Sequence, residues 1–222
     1  MKNRLSKAQA AYENALENVE NLHVKISEGN SKLGAIPSVS LIPVMDCGNC
    51  AICAKSCYDI RNDLIYKEVI KTRAINSAIY HDDPERYFKE IDGYLDYRYH
   101  RAFRFHIGGD IQDKWYLDKM CEIARKHKDT KFLAFTKMFD VCNEYLDEGN
   151  VIPENMHILF SGWLGLNMDN RHGFPEAHPI FESGTSAPEG TLLCTGNCTE
   201  CLKEDRLCWS IGKGHAIGFL AH

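Results

Sequence analysis

Cys47, Cys50, Cys53 and Cys57 place four thiols within the short run CGNCAICAKSC. Disulfides, zinc and an iron–sulfur cluster all use cysteines clustered in this way. The opening stretch MKNRLSKAQAAYENALENVENLHV is charged and amphipathic, without the apolar core and small-residue cleavage site of a secretory signal. No apolar run approaches the ~20 residues needed to span a bilayer. A cytoplasmic location is therefore expected, where thiols stay reduced and clustered cysteines point to metal. Zinc sites usually divide their ligands into two separated pairs. A single C-x2-C-x2-C-x3-C run is instead the spacing with which a short coiled segment wraps a [4Fe-4S] cubane. Tyr58 stands where such runs usually carry proline.

A second group, Cys194, Cys198, Cys201 and Cys208, has the spacing C-x3-C-x2-C-x6-C. Its first three members resemble the radical-SAM signature, in which three thiolates leave one iron open for S-adenosylmethionine. Glu200 occupies the place before the third cysteine that is usually aromatic. A structural zinc knuckle, or a closed second cluster using Cys208, is the alternative. Cys121 and Cys142 stand alone in apolar-periodic segments and read as small core residues.

Elements must position these thiols. A chain of 222 residues is long enough for one well-buried domain. Its 44% apolar and 26% charged content is that of a soluble globule. A net charge of −5 gives no sign of a nucleic-acid surface, which requires a basic patch. Ser6 with Gln9 can form a capping box for an amphipathic helix through about Ile26, an N-terminal element (residues 1–28) packed on a domain of residues 29–222. IPSVSLIPV reads as a strand delivering the chain to Cys47. Leu64 to Tyr80 repeats apolar residues at helical spacing, and Pro84 opens a further helix through about Tyr97.

From there AFRFHI, KFLAFT and MHILFSG read as strands, separated by helices over DKWYLDKMCEIARKH and MFDVCNEYLDEG. Such alternation implies parallel βαβ units. The expected fold is α/β, a partial or small TIM-type barrel. Residues 162–190 read mainly as loop, with a short strand near Ile180 and another over GHAIGFLAH. His172 and His178 in this loop read as surface residues more readily than as ligands.

Ligands gather where parallel strands end, which selects Cys47, Asp110, Lys137 and Ser161 as neighbours at one mouth. His106, Asp110 and Lys137 are the candidates for acid–base roles. Arg104 alternates with His106, so both are expected to point into the barrel, where unpaired charge is unfavourable. Tyr58 and Trp209 each follow a cysteine and are expected to shield a metal centre from water.

GNSKLG and IPSVSLIP before the cysteine run, then CYDIR, FRFHIGGD, FLAFTK and the late cysteine group, together resemble the gene-product-88 family of phage and mobile-element proteins. More distantly, HIGGDIQDKWYLDKMCEIARKHKDTKFLAFTK resembles the second βαβ unit of radical-SAM barrels. That resemblance implies that the turn Gly108, Gly109 and Asp110 meets S-adenosylmethionine, and Arg104 is a further candidate for cofactor binding. Three functions follow as expectations: a cluster enzyme of radical-SAM type, a hydrolase using an open iron as Lewis acid, and a non-catalytic electron carrier or binding module. The partners expected are a small-molecule substrate and an electron donor, with no membrane. Because closing a barrel brings its first and last strands together, both cysteine groups are expected on the same half of the molecule.

Overall fold

The computed structural model describes residues 2–48, 50, 53, 54, 57, 59, 60 and 65–220, with side chains from residue 7 onward. The element order begins α1 (Lys2–Leu16), β1 (Ser38–Val39), α2 (Lys67–Asp82), α3 (Pro84–Tyr97), β2 (Ala102–Phe105) and α4 (Lys114–Lys126). There follow β3 (Lys131–Thr136), α5 (Phe139–Asp147), β4 (Met156–Ser161) and β5 (Glu176–Phe181). The chain ends with β6 (Gly184–Thr185), β7 (Leu192–Leu193), α6 (Cys198–Lys203) and β8 (Ala216–Leu220).

The strands form one sheet in the order β1-β2-β3-β4-β5-β8-β7, with β6 pairing antiparallel to β5. All other pairings are parallel. The sheet is therefore α/β, as the alternation implied. It is not a closed barrel, because β1 and β7 are opposite edges rather than partners.

Period-two alternation divides the strand residues between two cores. Phe103, Phe105, Phe132, Ala134, Ile158 and Phe160 face a layer built from α2, α3, α4 and α5. Ala102, Leu133, Leu159, Ala177 and Ile217 face the other way, where Leu33, Ile36, Cys201, Leu202, Cys208 and Trp209 cover them. The second cysteine group is thus part of the packing that seals the sheet's second face. The 3₁₀ turn Leu207–Trp209 completes it, with Trp209 1% exposed.

Local chemistry fixes the helix starts. The Asp83 carboxylate accepts from the Arg86 amide ahead of Pro84, and Asp113 accepts from Tyr116. Helix α1 departs from expectation. It encloses Ser6 rather than being capped there, and it stops at Leu16. Beyond a 3₁₀ turn at Val19–Asn21 the chain is extended. Its amides are taken by side chains of the helical layer, Val24 by Glu90 and Lys25 by Asn76. These acceptors from α2 and α3 outcompete continuation of the helix.

Candidate metal centre

The mouth is knitted from backbone outward. Past β1, the Ile107 amide donates to Ser40 Oγ, Leu41 to the Gly108 carbonyl, and Asp110 to the Asp46 carbonyl. The segment Leu41–Asp46 thereby lies along the turn after β2 and presents Cys47 at its end. The buried Asp46 carboxylate fixes this segment. It accepts from the Ile42 amide (3.1 Å), from Ser77 Oγ (2.6 Å), and pairs with His81 Nε2 (2.7 Å). Gly48 then crosses the β3–α5 connection so closely that a Cβ would overlap Met138.

The first four thiols converge there. Cys50 lies within sulfur hydrogen-bonding reach of Cys47 and Cys53, and Cys57 is near enough for its charge to act on Cys50 and Cys53. Backbone amides of Asp59 and Ile60 point at the Cys57 sulfur. Burial raises the Cys53 and Cys57 thiols above their ordinary value. A buried thiol gives up its proton when a metal replaces it, so ligation here is linked to pH.

Charges of both signs lie near this site, Asp110 acting on Cys47, Asp59 on Cys57 and Lys137 on Cys53. The Lys137 ammonium acts on Cys53, Asp59 and Asp110. Among the described residues its Nζ has no hydrogen bond or ion pair, and it sits 5.4 Å from the Trp163 ring centroid. Arg73 pairs with Asp59 at 2.6 Å, both side chains 6% exposed. Burial nonetheless lifts the Asp59 carboxyl above its ordinary range, with Arg73 acting against it.

Arg104 lies 4.8 Å over the Phe135 ring. Its charge reaches Asp59 on one side and Cys198 and Cys208 on the other. It therefore stands between the two cysteine groups. Its Nε has no hydrogen-bond partner among the described residues.

The second group follows β7. The Cys194 amide donates to the Gly218 carbonyl, and the Cys198 amide to the Lys32 carbonyl. Thr199 Oγ1 donates to the Leu33 carbonyl at 3.0 Å. This segment therefore spans from the β7 edge to the strap before β1, and it reaches that strap without barrel closure. The Gly196 amide donates to Cys194 Sγ (3.4 Å), and Thr195 Oγ1 lies 3.3 Å from Cys201 Sγ. Burial pushes the Cys208 thiol up to about 12.

Each donor set offers four thiols, the complement that holds either one tetrahedral zinc or an iron–sulfur cubane. Zinc bound to thiolates at ~2.3 Å would hold its sulfurs about 3.8 Å apart. Among the described residues the one trio of metal-type donors within 4.8 Å is Asp92, Asp96 and His127. Among the described residues no three cysteine sulfurs lie within 4.8 Å of one another, although Cys50 stands close to both Cys47 and Cys53. Lys126 already neutralises Asp92 and Asp96, at 2.7 and 2.6 Å.

Other expected site residues are engaged in packing and hydrogen bonds, Asp110 among them although its charge reaches Cys47. Asp110 is 5% exposed, with its carboxylate engaged by Ile111 N, Thr136 Oγ1 (2.6 Å) and Lys137 N (2.9 Å). It fastens the β2 and β3 ends together. A Cβ at Gly108 would stand 2.9 Å from Arg73 Cζ, and one at Gly109 (φ +81°) 2.7 Å from Leu41 Cβ. Both glycines serve close packing there. Ser161 closes β4 opposite Ala177. His172 is a surface partner of Asp147 at 2.7 Å. Cys121 and Cys142 are fully buried core residues. Tyr58 lies outside the described residues, while Trp209 does pack beside Cys201 and Cys208.

His106 departs from the expected inward orientation. Strand β2 ends at Phe105, and His106 takes a positive φ of 57°. Its ring lies 5.4 Å from that of Tyr116 in the helical layer. Neither ring nitrogen has a hydrogen-bond partner among the described residues. Burial holds its pKa down at about 3, against an ordinary 6.5. The ring is neutral in the fold and gains a proton on unfolding below pH ~6.5. Stability should therefore drop as pH falls from 6.5 toward 3, by ~1.4 kcal/mol per pH unit at most. His106→Asn, which tolerates the left-handed backbone, should flatten that slope. Denaturant midpoints from pH 4 to 7 that run parallel in both proteins would contradict it.

An open, mainly parallel α/β sheet with two cysteine-rich segments, one at its mouth and one across its second face, defines the class of protein. Residues 3–174 match the family model for Gene product 88, and the chain belongs to that family. The match takes in α1 and the Cys47–Cys57 run and ends before Cys194. No curated protein and no solved structure matches the chain. Among the described residues no helix is long and apolar enough to cross a membrane.

Proposed function

We propose that this is an iron–sulfur protein. Cys47, Cys50, Cys53 and Cys57 hold a [4Fe-4S] cluster at the mouth, and Cys194, Cys198, Cys201 and Cys208 hold a second centre. The observation that carries the reading is four convergent thiols, with the Lys137 charge acting on Cys53 and with Arg73 and Arg104 acting on the neighbouring Asp59. Four thiolates on a cluster bring negative charge into a half-buried site, and these cations offset it. A bound cluster supplies one-electron exchange or, where an iron keeps an open position, Lewis acidity.

The mouth is read as an enzyme site for a small molecule, fed by an electron donor. Lys137 is the cation an anionic or carbonyl oxygen would meet, and Asp110 positions it through its backbone amide. His106 is sealed in the helical layer and takes no acid–base part. S-adenosylmethionine has no place in this reading, because the glycine turn that would meet it packs against Leu41 and Arg73.

Anaerobic purification with iron and sulfide analysis and EPR tests the proposal. About eight irons per chain are expected from two cubanes, against about four with one zinc if the second site is a knuckle. A colourless protein holding stoichiometric zinc would overturn it.

A further inference from the structure

The notable arrangement outside the thiol groups begins with a two-residue spacing in β5. Glu176 and His178 stand on one face of that strand, because strand side chains alternate. The β5–β6 hairpin then turns the chain back, pairing Ile180 with Thr185 and Phe181 with Gly184. Thr185 Oγ1 ties the returning strand to the Pro179 carbonyl at 2.9 Å and accepts from the Ala187 amide at 3.1 Å. Ser186, held between these anchors, lies over His178. Its Oγ is 2.9 Å from His178 Nδ1, and His178 Nε2 is 2.8 Å from Glu176 Oε2. Asn170 Nδ2 steadies the other Glu176 oxygen at 2.9 Å.

We propose that Ser186, His178 and Glu176 form an acyl-transfer site that acts on carboxylic esters independently of any metal. Such triads are recognised by geometry and role rather than by chain order. An ionised Glu176 can only accept, so His178 carries its proton on Nε2 and offers the Nδ1 lone pair to the Ser186 hydroxyl. Ser186 is exposed, His178 is 3% exposed behind it, and Glu176 is half-buried. The nucleophile thus faces solvent while its base is shielded. Gly162, following β4, makes room for the base, since a Cβ there would overlap the imidazole ring.

The reaction balances with water alone. Ser186 Oγ attacks the ester carbonyl as its proton passes to His178 Nδ1. The tetrahedral species collapses, and His178 returns that proton to the departing alkoxide. Water then attacks the acyl-serine through the same base, releasing the carboxylic acid and restoring Ser186. All three residues lie beyond the part of the chain that matches the family model.

The test is to treat the purified full-length protein with a fluorophosphonate probe, map the adduct by mass spectrometry and follow p-nitrophenyl acetate hydrolysis. Phosphonylation at Ser186 is expected. It should vanish in Ser186→Ala, whose iron content stays that of the parent. His178→Gln should slow labelling by ~100-fold or more, the range for loss of a general base, and Glu176→Gln, at a less buried position, should slow it by a smaller factor. An unlabelled Ser186 in folded parent protein would overturn the proposal, as would equal labelling rates in the parent and Glu176→Gln. Iron binding is measured separately, so loss of this site leaves the cluster reading untouched.

Discussion

Replacing Cys50 or Cys53 by alanine is expected to remove the iron of the first centre and most of the soluble protein with it. Cys50 is the thiol in reach of both Cys47 and Cys53, and Cys53 is 8% exposed beneath the Lys137 charge. Ligand binding by a site that exists only in the fold contributes directly to folding free energy. The mouth depends on it because Gly48 packs on Met138 and Asp46 ties its own loop to α2 through Ser77 and His81. Replacing Cys198 and Cys201 together should remove only the second centre. Iron content measured on soluble fractions decides both points. Full iron in Cys53→Ala would contradict the first assignment, and loss of all iron from a folded double variant would show one shared cluster.

Arg73→Met should destabilise the protein by ~3–5 kcal/mol, the range for leaving one partner of a buried ion pair uncompensated. Asp59 is then a desolvated carboxyl without its main counter-charge, in a site where burial already raises its pKa. Neutralising it as well, in Arg73→Met with Asp59→Leu, should give a loss smaller than the sum of the two single losses. Urea midpoints on samples of matched iron content measure this. Additive losses would mean that the pair is not energetically coupled.

The regular part of this fold was legible because its patterns are local. The apolar alternation of KFLAFT and MHILFSG, and the helical periods between and before them, mark β3, β4, α2 and α4 to within a few residues. Closure was not legible. Whether parallel strands curl into a barrel depends on strand number and stagger, and nothing in a βα alternation states that β1 and β7 remain apart. The orientation of His106 failed for a local reason, since alternation with Arg104 holds only while the strand continues.

Both thiol groups could be read from spacing alone. Their surroundings could not. Asp46 meets Ser77 and His81 across 31 and 35 residues, and Asp59 meets Arg73 across 14. No short motif carries such pairs. The Glu176–His178 spacing was visible in the sequence, but without the hairpin register nothing connected it to Ser186.

The span from β7 to Lys32 and Leu33 has a kinetic consequence. The bond from Thr199 to Leu33 closes a loop of 166 residues, among the most non-local contacts in the molecule. Loop-closure entropy grows with length, and contacts of this kind form after the local ones. The clasp should therefore fasten last, over a sheet whose βα units have already assembled. Until then Ala102, Leu133, Leu159, Ala177 and Ile217 present an uncovered apolar face. A nascent chain stalled before Cys194 would carry the part of that face formed by Ala102, Leu133, Leu159 and Ala177 into solvent, where self-association competes with maturation.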